Sequence, residues 1–213
     1  MIKQGSELER FSELFICRLG QALGFSMADY QPENGTIRSP DFTDGASVNY
    51  ESAAGLVGDD EDYALNFDIF RKISPELAEQ YLQIIYLDTI CFNMDRHTQN
   101  YGILRDVESG NILSMAPNFD NNIALFARGI PNNLSRENDK LVSLFCELLE
   151  KDSRALEMAK HLTPPTAEMI EQCAGDISIP MDINTVCNYV MNGSEQVQTH
   201  IQQLMLHPGM DMQ

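Results

Sequence analysis

The sequence lacks several features that would assign it to well-known protein classes. It has no Trp, no internal repeat and no low-complexity linker. No apolar run approaches the roughly 20 residues that a bilayer-spanning helix requires. The first ten residues, MIKQGSELER, also lack the apolar stretch of a secretory signal. We therefore expect a cytoplasmic globular protein with no membrane association, and 213 residues suffice to bury a core without disulfides or metals.

Basic residues are also scarce. The chain has 14 Lys and Arg against 32 Asp and Glu, which gives a net charge of -18. A surface this negative repels the phosphates of nucleic acids and of anionic lipid headgroups. We expect no direct nucleic-acid binding, whereas a basic partner protein would complement the charge.

The cysteine pattern excludes small folds that are held together by disulfides or by zinc. The five cysteines are odd in number and widely dispersed, and none forms a C-x-x-C pair. A disulfide framework or a zinc site would need closer and paired spacing. We expect all five to be free thiols buried in the core: Cys17, Cys91, Cys146, Cys173 and Cys187.

The N-terminal part combines one clear helix with short extended segments. Ser6 and Glu9 form a capping-box pattern, and apolar residues recur at helical spacing behind it, which predicts a helix over about residues 7–23. The preceding residues 1–3 suit the end of a short strand. Residues 25–58 are rich in Gly, Asn, Asp, Ser and Pro, and predict loops with one or two short strands.

The rest of the chain has mainly helical periodicity. A helix that begins at Ser74–Pro75 and runs to Cys91 is apolar nearly all round, which is typical of a buried central helix. Two short strands are predicted at 101–104 and 112–115, joined by a turn. The remaining helices are predicted at 137–150, 153–161, 166–173 and 183–206.

These elements predict an α+β fold in which helices dominate. We expect residues 1–58 to form a remnant N-terminal lobe of short strands and one helix. Residues 59–213 would form a helical lobe that carries a hairpin at its active site. The acidic run 59–62 suits the positive N-terminal end of a helix that starts near Tyr63, and we favour that interpretation over metal binding.

The residues that carry chemistry lie between Asn93 and Asn122. The buried helix leads into a polar loop with Asp95 and Asn100, and the hairpin then returns the chain to Asp120. Phosphoryl transfer needs one carboxylate to orient the attacking hydroxyl, and an amide and a second carboxylate to hold Mg²⁺. The five-residue step between the loop aspartate and asparagine allows both side chains to face one cleft.

Two motifs in this stretch carry a family resemblance. The sequence N-x-D-R-H-x-x-N at 93–100, followed by a hydrophobic strand and A-P-x-x-D at 116–120, resembles the C-terminal lobe of HipA-like serine/threonine kinases. These are the toxin kinases of bacterial toxin–antitoxin systems. The resemblance implies a protein-kinase-like fold, ATP and Mg²⁺ as cofactors, a protein substrate phosphorylated on Ser or Thr, and an antitoxin or regulator as partner.

The resemblance also implies a role for five residues. Asp95 would be the catalytic base, and Asn100 and Asp120 would be the Mg²⁺ ligands. Lys3 would contact the ATP phosphates, and Glu13 on the first helix would pair with it. In the family a strand pair with a phosphate-covering loop precedes this lysine. No Gly-rich loop occurs in this sequence, so we expect a reduced N-terminal lobe.

Other interpretations stay open at this point. The missing phosphate loop also suits a pseudokinase-like module that binds a partner protein, and a small-molecule kinase could use the same scaffold. Glu13 could equally lie on an exposed helix face. Arg96 and His97 are interpreted as organisers of the loop, and Asp88 as either an anchor for that loop or a satisfied buried carboxylate.

Overall fold

The structure is a computed structural model that describes residues 2–45, 47–59 and 61–206. Its elements alternate short strands with helices in the first third and are mainly helical afterwards. In chain order they are β1 (Ile2–Lys3), α1 (Glu7–Ala22), β2 (Gln31–Glu33), β3 (Thr36–Arg38), β4 (Val48–Ser52), α2 (Ala54–Val57), α3 (Tyr63–Ile73), α4 (Pro75–Cys91), β5 (Gly102–Asp106), β6 (Ile112–Met115), α5 (Lys140–Lys151), α6 (Ser153–Ala159), α7 (Ala167–Gly175) and α8 (Ile183–Leu206).

The first sheet has the order β1-β3-β2 with antiparallel pairing, and α1 contacts β3. The predicted capping box at the start of α1 is confirmed, because Ser6 and Glu9 exchange backbone and side-chain hydrogen bonds. Three strands occur within 25–58 instead of one or two. The additional strand is β2, which is only three residues long and contains Pro32. An edge strand tolerates proline, because one side of its backbone makes no hydrogen bonds to another strand.

The second sheet has the order β4-β5-β6, also antiparallel. Gly102 begins β5 at a point where the backbones of β4 and β5 come unusually close. A Cβ atom built on Gly102 would lie 2.1 Å from the carbonyl oxygen of Glu51, so no larger residue fits without moving β4. This close approach fixes the polar loop that immediately precedes β5 against β4.

The helical body is built around α4. The prediction of a buried central helix is confirmed: α4 packs against α3, α5, α6 and α8, and most of its residues are buried. The predicted α8 has the bounds 183–206 in the structure as well. The helix predicted from 137 begins only at Lys140, since Asp139 caps its first turn through Leu141 and Val142.

One hydrophobic core collects residues from Phe11 on α1 to Ile201 on α8. The division of the chain into two lobes after residue 58 stays a prediction. All five cysteines are free, but the expectation that all are buried is wrong for Cys146, which is half-buried on α5. None of the helices in the described part of the chain combines the length and apolarity needed to cross a membrane.

Candidate active site

The loop between α4 and β5 presents the predicted catalytic carboxylate. Asp95 is half-buried, and its backbone N–H donates to Oδ1 of Asn93 at 3.2 Å. The amide nitrogen of Asn100 donates to the carbonyl oxygen of Asp95 at 3.1 Å, which ties the two ends of the loop together. Within the described residues, no side chain or backbone group bonds the carboxylate of Asp95.

The loop after β6 brings together residues that are distant in sequence. Lys3 Nζ lies 2.6 Å from Oδ1 of Asp120 and 2.8 Å from Oε2 of Glu13. Glu13 is fully buried, and its Oε1 accepts the backbone N–H of Asn121 at 2.9 Å. The alternative that Glu13 lies on an exposed helix face is therefore wrong. Asp120 has a left-handed backbone with φ 63, a conformation that Asp tolerates better than most residues.

The ammonium of Lys3 is held in its charged state. Burial by itself lowers the pKa of Lys3, but Glu13, Tyr30 and Asp120 together raise that pKa above its ordinary value. The side chain of Lys3 as a whole is 22% exposed, so solvent reaches part of it. A fixed cation near the surface is suited to bind an anionic group such as phosphate.

Arg96 connects both loops to α4. Its side chain is 3% exposed and forms a bidentate pair with Asp88, with distances of 2.8 and 2.9 Å. The same guanidinium donates to the carbonyl oxygens of Asn100 at 2.8 Å and Phe119 at 2.7 Å. The interpretation of Arg96 as an organiser is confirmed, and Asp88 is its anchor. His97 is exposed, and its Nδ1 accepts the N–H of Gln99 at 3.3 Å.

Three buried asparagines complete this network, and the sequence reasoning gave them no role. Oδ1 of Asn118 and of Asn121 accept from Arg96 at 2.9 and 2.7 Å, and Asn93 donates to Asp88 at 2.9 Å. The run N-F-D-N-N at 118–122 was the available signal. Such a run could not show that its amides face a buried arginine.

A cluster of three half-buried aromatic rings adjoins the acidic loop and was also missed. Phe42, Tyr50 and Phe119 have ring centroids 5.7 to 6.0 Å apart. The hydroxyl of Tyr50 lies 3.0 Å from the carbonyl oxygen of Gln99, at the end of the loop that carries Asp95. The ring of Tyr50 meets the other two edge-on, and Phe42 and Phe119 are tilted by 32°, so the cluster is an apolar group packed together, and its Phe119 lies next to Asp120 in the sequence.

The predicted metal ligands supply oxygens of the kind that Mg²⁺ prefers. The amide nitrogen of Asn100 is used within the loop, so its oxygen is the atom that could face a cation. Asp120 is partly exposed, and one carboxylate oxygen pairs with Lys3. The described residues contain no group of three His, Cys, Asp or Glu that could hold a metal ion. Two protein ligands fit Mg²⁺, which keeps water and phosphate oxygens in its shell.

Comparisons with known proteins identify the fold. No protein-family model matches the sequence, and a search of curated proteins found no match either. Among solved structures, the proinflammatory kinase CtkA of Helicobacter pylori superposes with a TM-score of 0.73 at 16% identity, over 96% of this chain and 91% of CtkA. A HipA toxin–antitoxin complex of Shewanella oneidensis with HipB and operator DNA matches with a TM-score of 0.52 at 12% identity.

The HipA match covers 90% of this chain and 55% of the matched chain, so this chain spans about half of that length. Both similarities concern the fold, which is α+β with helices dominant as the sequence predicted. The chain has a HipA-like kinase fold.

Proposed function

We propose that the chain is an ATP-dependent protein kinase that transfers the γ-phosphoryl group to a Ser or Thr hydroxyl. The observation that carries this proposal is the joined pair of ionic contacts from Lys3 to Glu13 and to Asp120, beside a loop that presents Asp95. A lysine fixed by a buried glutamate next to an acidic loop is the arrangement that phosphoryl transfer requires. The kinase-like fold supports the same reaction class.

Nucleotide binding would use both charged and apolar groups. The ammonium of Lys3, whose side chain is partly exposed, would contact the nucleotide phosphates. The half-buried rings of Phe42 and Phe119 are candidates for stacking on a purine base. Phe119 directly precedes Asp120 in the chain, which would place the base next to the phosphates.

Asn100 and Asp120 would hold Mg²⁺, which supplies charge neutralisation for the phosphates when bound. Oδ1 of Asp120 pairs with Lys3, so the same carboxylate would serve both the ammonium and the cation. Asp95 would accept a hydrogen bond from the acceptor hydroxyl and take its proton as the hydroxyl oxygen bonds to the γ-phosphorus. The bond between that phosphorus and the β–γ bridging oxygen would break at the same time, and ADP would leave with the bonding electron pair. The network of Arg96 would keep Asp95 and Asp120 at a fixed separation during this step.

A partner protein is part of the proposal. The HipA structure contains HipB and operator DNA, and a toxin role with a basic antitoxin or regulator fits the net charge of -18. The absence of direct nucleic-acid contact stays a prediction from charge alone. A partner-binding module without catalysis would need none of the contacts that Lys3, Glu13 and Asp120 make, so we favour the kinase.

The test compares the chain with Asp95→Asn and a matched control. Wild-type protein is incubated with Mg²⁺ and γ-labelled ATP, and label transfer is measured to itself and to peptide libraries that contain Ser, Thr or Tyr. Asp95→Asn should lower transfer by about 10²- to 10⁴-fold without weakening Mg²⁺–ATP binding in calorimetry. Asp106→Asn, at the end of β5 where the carboxylate accepts hydrogen bonds from Ser109, should leave transfer unchanged.

The outcomes separate the alternatives. Transfer to Ser or Thr peptides that depends on Asp95 supports the proposal. Wild-type protein that neither binds Mg²⁺–ATP nor transfers label, even with a co-purified partner, overturns it. Transfer to a small molecule and not to peptides would overturn the assignment as a protein kinase.

A further inference from the structure

Tyr30 lies at the meeting point of the three charged residues and belongs to none of the motifs. It is 5% exposed and stands immediately before β2. The segment that carries it is fastened to the acidic loop: the N–H of Ala28 donates to the carbonyl oxygen of Asn118 at 2.9 Å, and the N–H of Asn118 donates to that of Ser26 at 2.8 Å. The position of Tyr30 is therefore set by the loop that contains Asp120.

Tyr30 contacts both Asp120 and Lys3, and its hydroxyl takes part in both contacts. The backbone N–H of Asp120 donates to the hydroxyl oxygen of Tyr30 at 3.4 Å. The ammonium of Lys3 lies 5.4 Å from the centroid of the ring, within the range of a cation–π interaction. Burial and the nearby Glu13 raise the pKa of Tyr30, so the hydroxyl stays protonated. One side chain thus touches both the backbone of Asp120 and the charge of Lys3.

The backbone of Asp120 needs this kind of support. Its left-handed conformation is sparsely populated for residues other than Gly, and it persists only when neighbouring groups hold it. Among the described residues, the backbone N–H of Asp120 donates to the hydroxyl of Tyr30, and the side chain of Asp120 pairs with Lys3. A change at the hydroxyl of Tyr30 would therefore act first on the orientation of the Asp120 carboxylate.

We propose that Tyr30 is a positioning residue for both Asp120 and Lys3, and this proposal rests on the proposed kinase function. Its hydroxyl holds the Asp120 peptide so that the carboxylate can receive Mg²⁺. Its ring, together with the hydroxyl, holds the ammonium of Lys3 in place for the nucleotide phosphates. The loss of the hydroxyl alone and the loss of the whole ring should therefore differ in their kinetic effects.

Tyr30→Phe removes one oxygen and keeps the ring. The Mg²⁺ concentration for half-maximal transfer should rise about fivefold, as expected for one lost hydrogen bond, while the KM for ATP at saturating Mg²⁺ should rise less than in Tyr30→Leu. Tyr30→Leu should in addition raise the KM for ATP about threefold to fivefold, since the cation–π contact is lost. Tyr86→Phe is the matched control, because Tyr86 is buried in α4 and its hydroxyl lies 3.3 Å from that of Ser194, outside the site.

A second measurement does not depend on activity. Hydrogen exchange of the peptide that spans 116–122 should be faster in Tyr30→Phe than in wild type, and unchanged in Tyr86→Phe. An unaltered Mg²⁺ midpoint together with unaltered exchange would overturn the role of Tyr30. Faster exchange in a protein whose wild type transfers no phosphate would instead overturn the proposed function and retain the positioning role.

Discussion

The described part of the chain contains two buried arginine–aspartate pairs, of which one is bidentate and the other has a single contact. Arg96 and Asp88 are joined by an Nε–Oδ2 contact of 2.8 Å, and so are Arg136 and Asp139. The side chains of both pairs are at most 3% exposed. A buried pair costs desolvation energy that only good geometry and further hydrogen bonds offset, so each pair must be justified by its surroundings.

The surroundings of the two arginines differ. Arg96 lies among carbonyl oxygens and asparagine side chains of the loops that present Asp95 and Asp120. Arg136 lies against the rings of Phe92 and Tyr189, with its guanidinium carbon 5.5 and 4.8 Å from their centroids.

Arg136 also meets the C-terminal end of α4. It donates to the carbonyl oxygens of Thr89 at 2.5 Å and Ile90 at 2.6 Å, where the helix dipole favours a cation. Gly193 on α8 leaves room for it, since a Cβ there would lie 2.0 Å from Nη1 of Arg136. The same kind of ion pair therefore holds helices together in one place and joins the loops that carry Asp95 and Asp120 in the other.

The largest expected effect is on stability, from Arg136→Met. This change leaves Asp139 as an uncompensated buried charge and should lower the free energy of unfolding by about 3–5 kcal/mol, measured by urea denaturation. Phosphate transfer per folded molecule should change little. The exposed Arg128 of the same segment is the control, and Arg128→Met should have almost no effect. Equal losses of unfolding free energy in the two variants would show that the buried pair stabilises the fold no more than an exposed arginine does.

The next effect is on activity, from Arg96→Lys. Lysine keeps the charge but cannot form the planar fork that reaches Asp88 and both loops, so transfer should fall about 10²-fold. The loss of stability should be smaller than for Arg136→Met. Arg105→Lys, which alters a partly exposed pair with Glu51, is the matched control. If activity falls no more in Arg96→Lys than in this control, the assignment of Arg96 to the site is wrong.

The smallest expected effect is on the pH dependence of stability, and it distinguishes Lys3 from Arg96 and Arg136. Lys3 has a folded-state pKa above its ordinary 10.5, so its contribution to stability is complete below that value and declines as pH rises toward the folded-state pKa. The difference in melting temperature between wild type and Lys3→Met should therefore shrink as pH rises above about 10.5. Arginine stays charged there. A difference that stays constant across this range would contradict the ionic role of Lys3.

Features that depend on neighbours in the sequence could be predicted, and features that depend on contacts across the fold could not. The capping box of α1 and the buried α4 depend on neighbours within a few residues, and both were predicted. Three other features depend on contacts across the fold. They are the pairing of β1, which contains Lys3, with β3, the burial of Glu13 and the position of Tyr30. Their sequence context is ambiguous, because a glutamate on an amphipathic helix can face either solvent or an ion pair.

The sequence alone determined the helical character of the body, the polar loop with Asp95 and Asn100, and the acidic loop with Asp120. These follow from periodicity, capping and local spacing, which act over one or two helical turns. Only the tertiary structure decided that Lys3 reaches Asp120 across 117 positions, and which of two similar arginines serves the site. Such choices depend on which surfaces pack together, and burial sets the strength of charged contacts far more than residue type does.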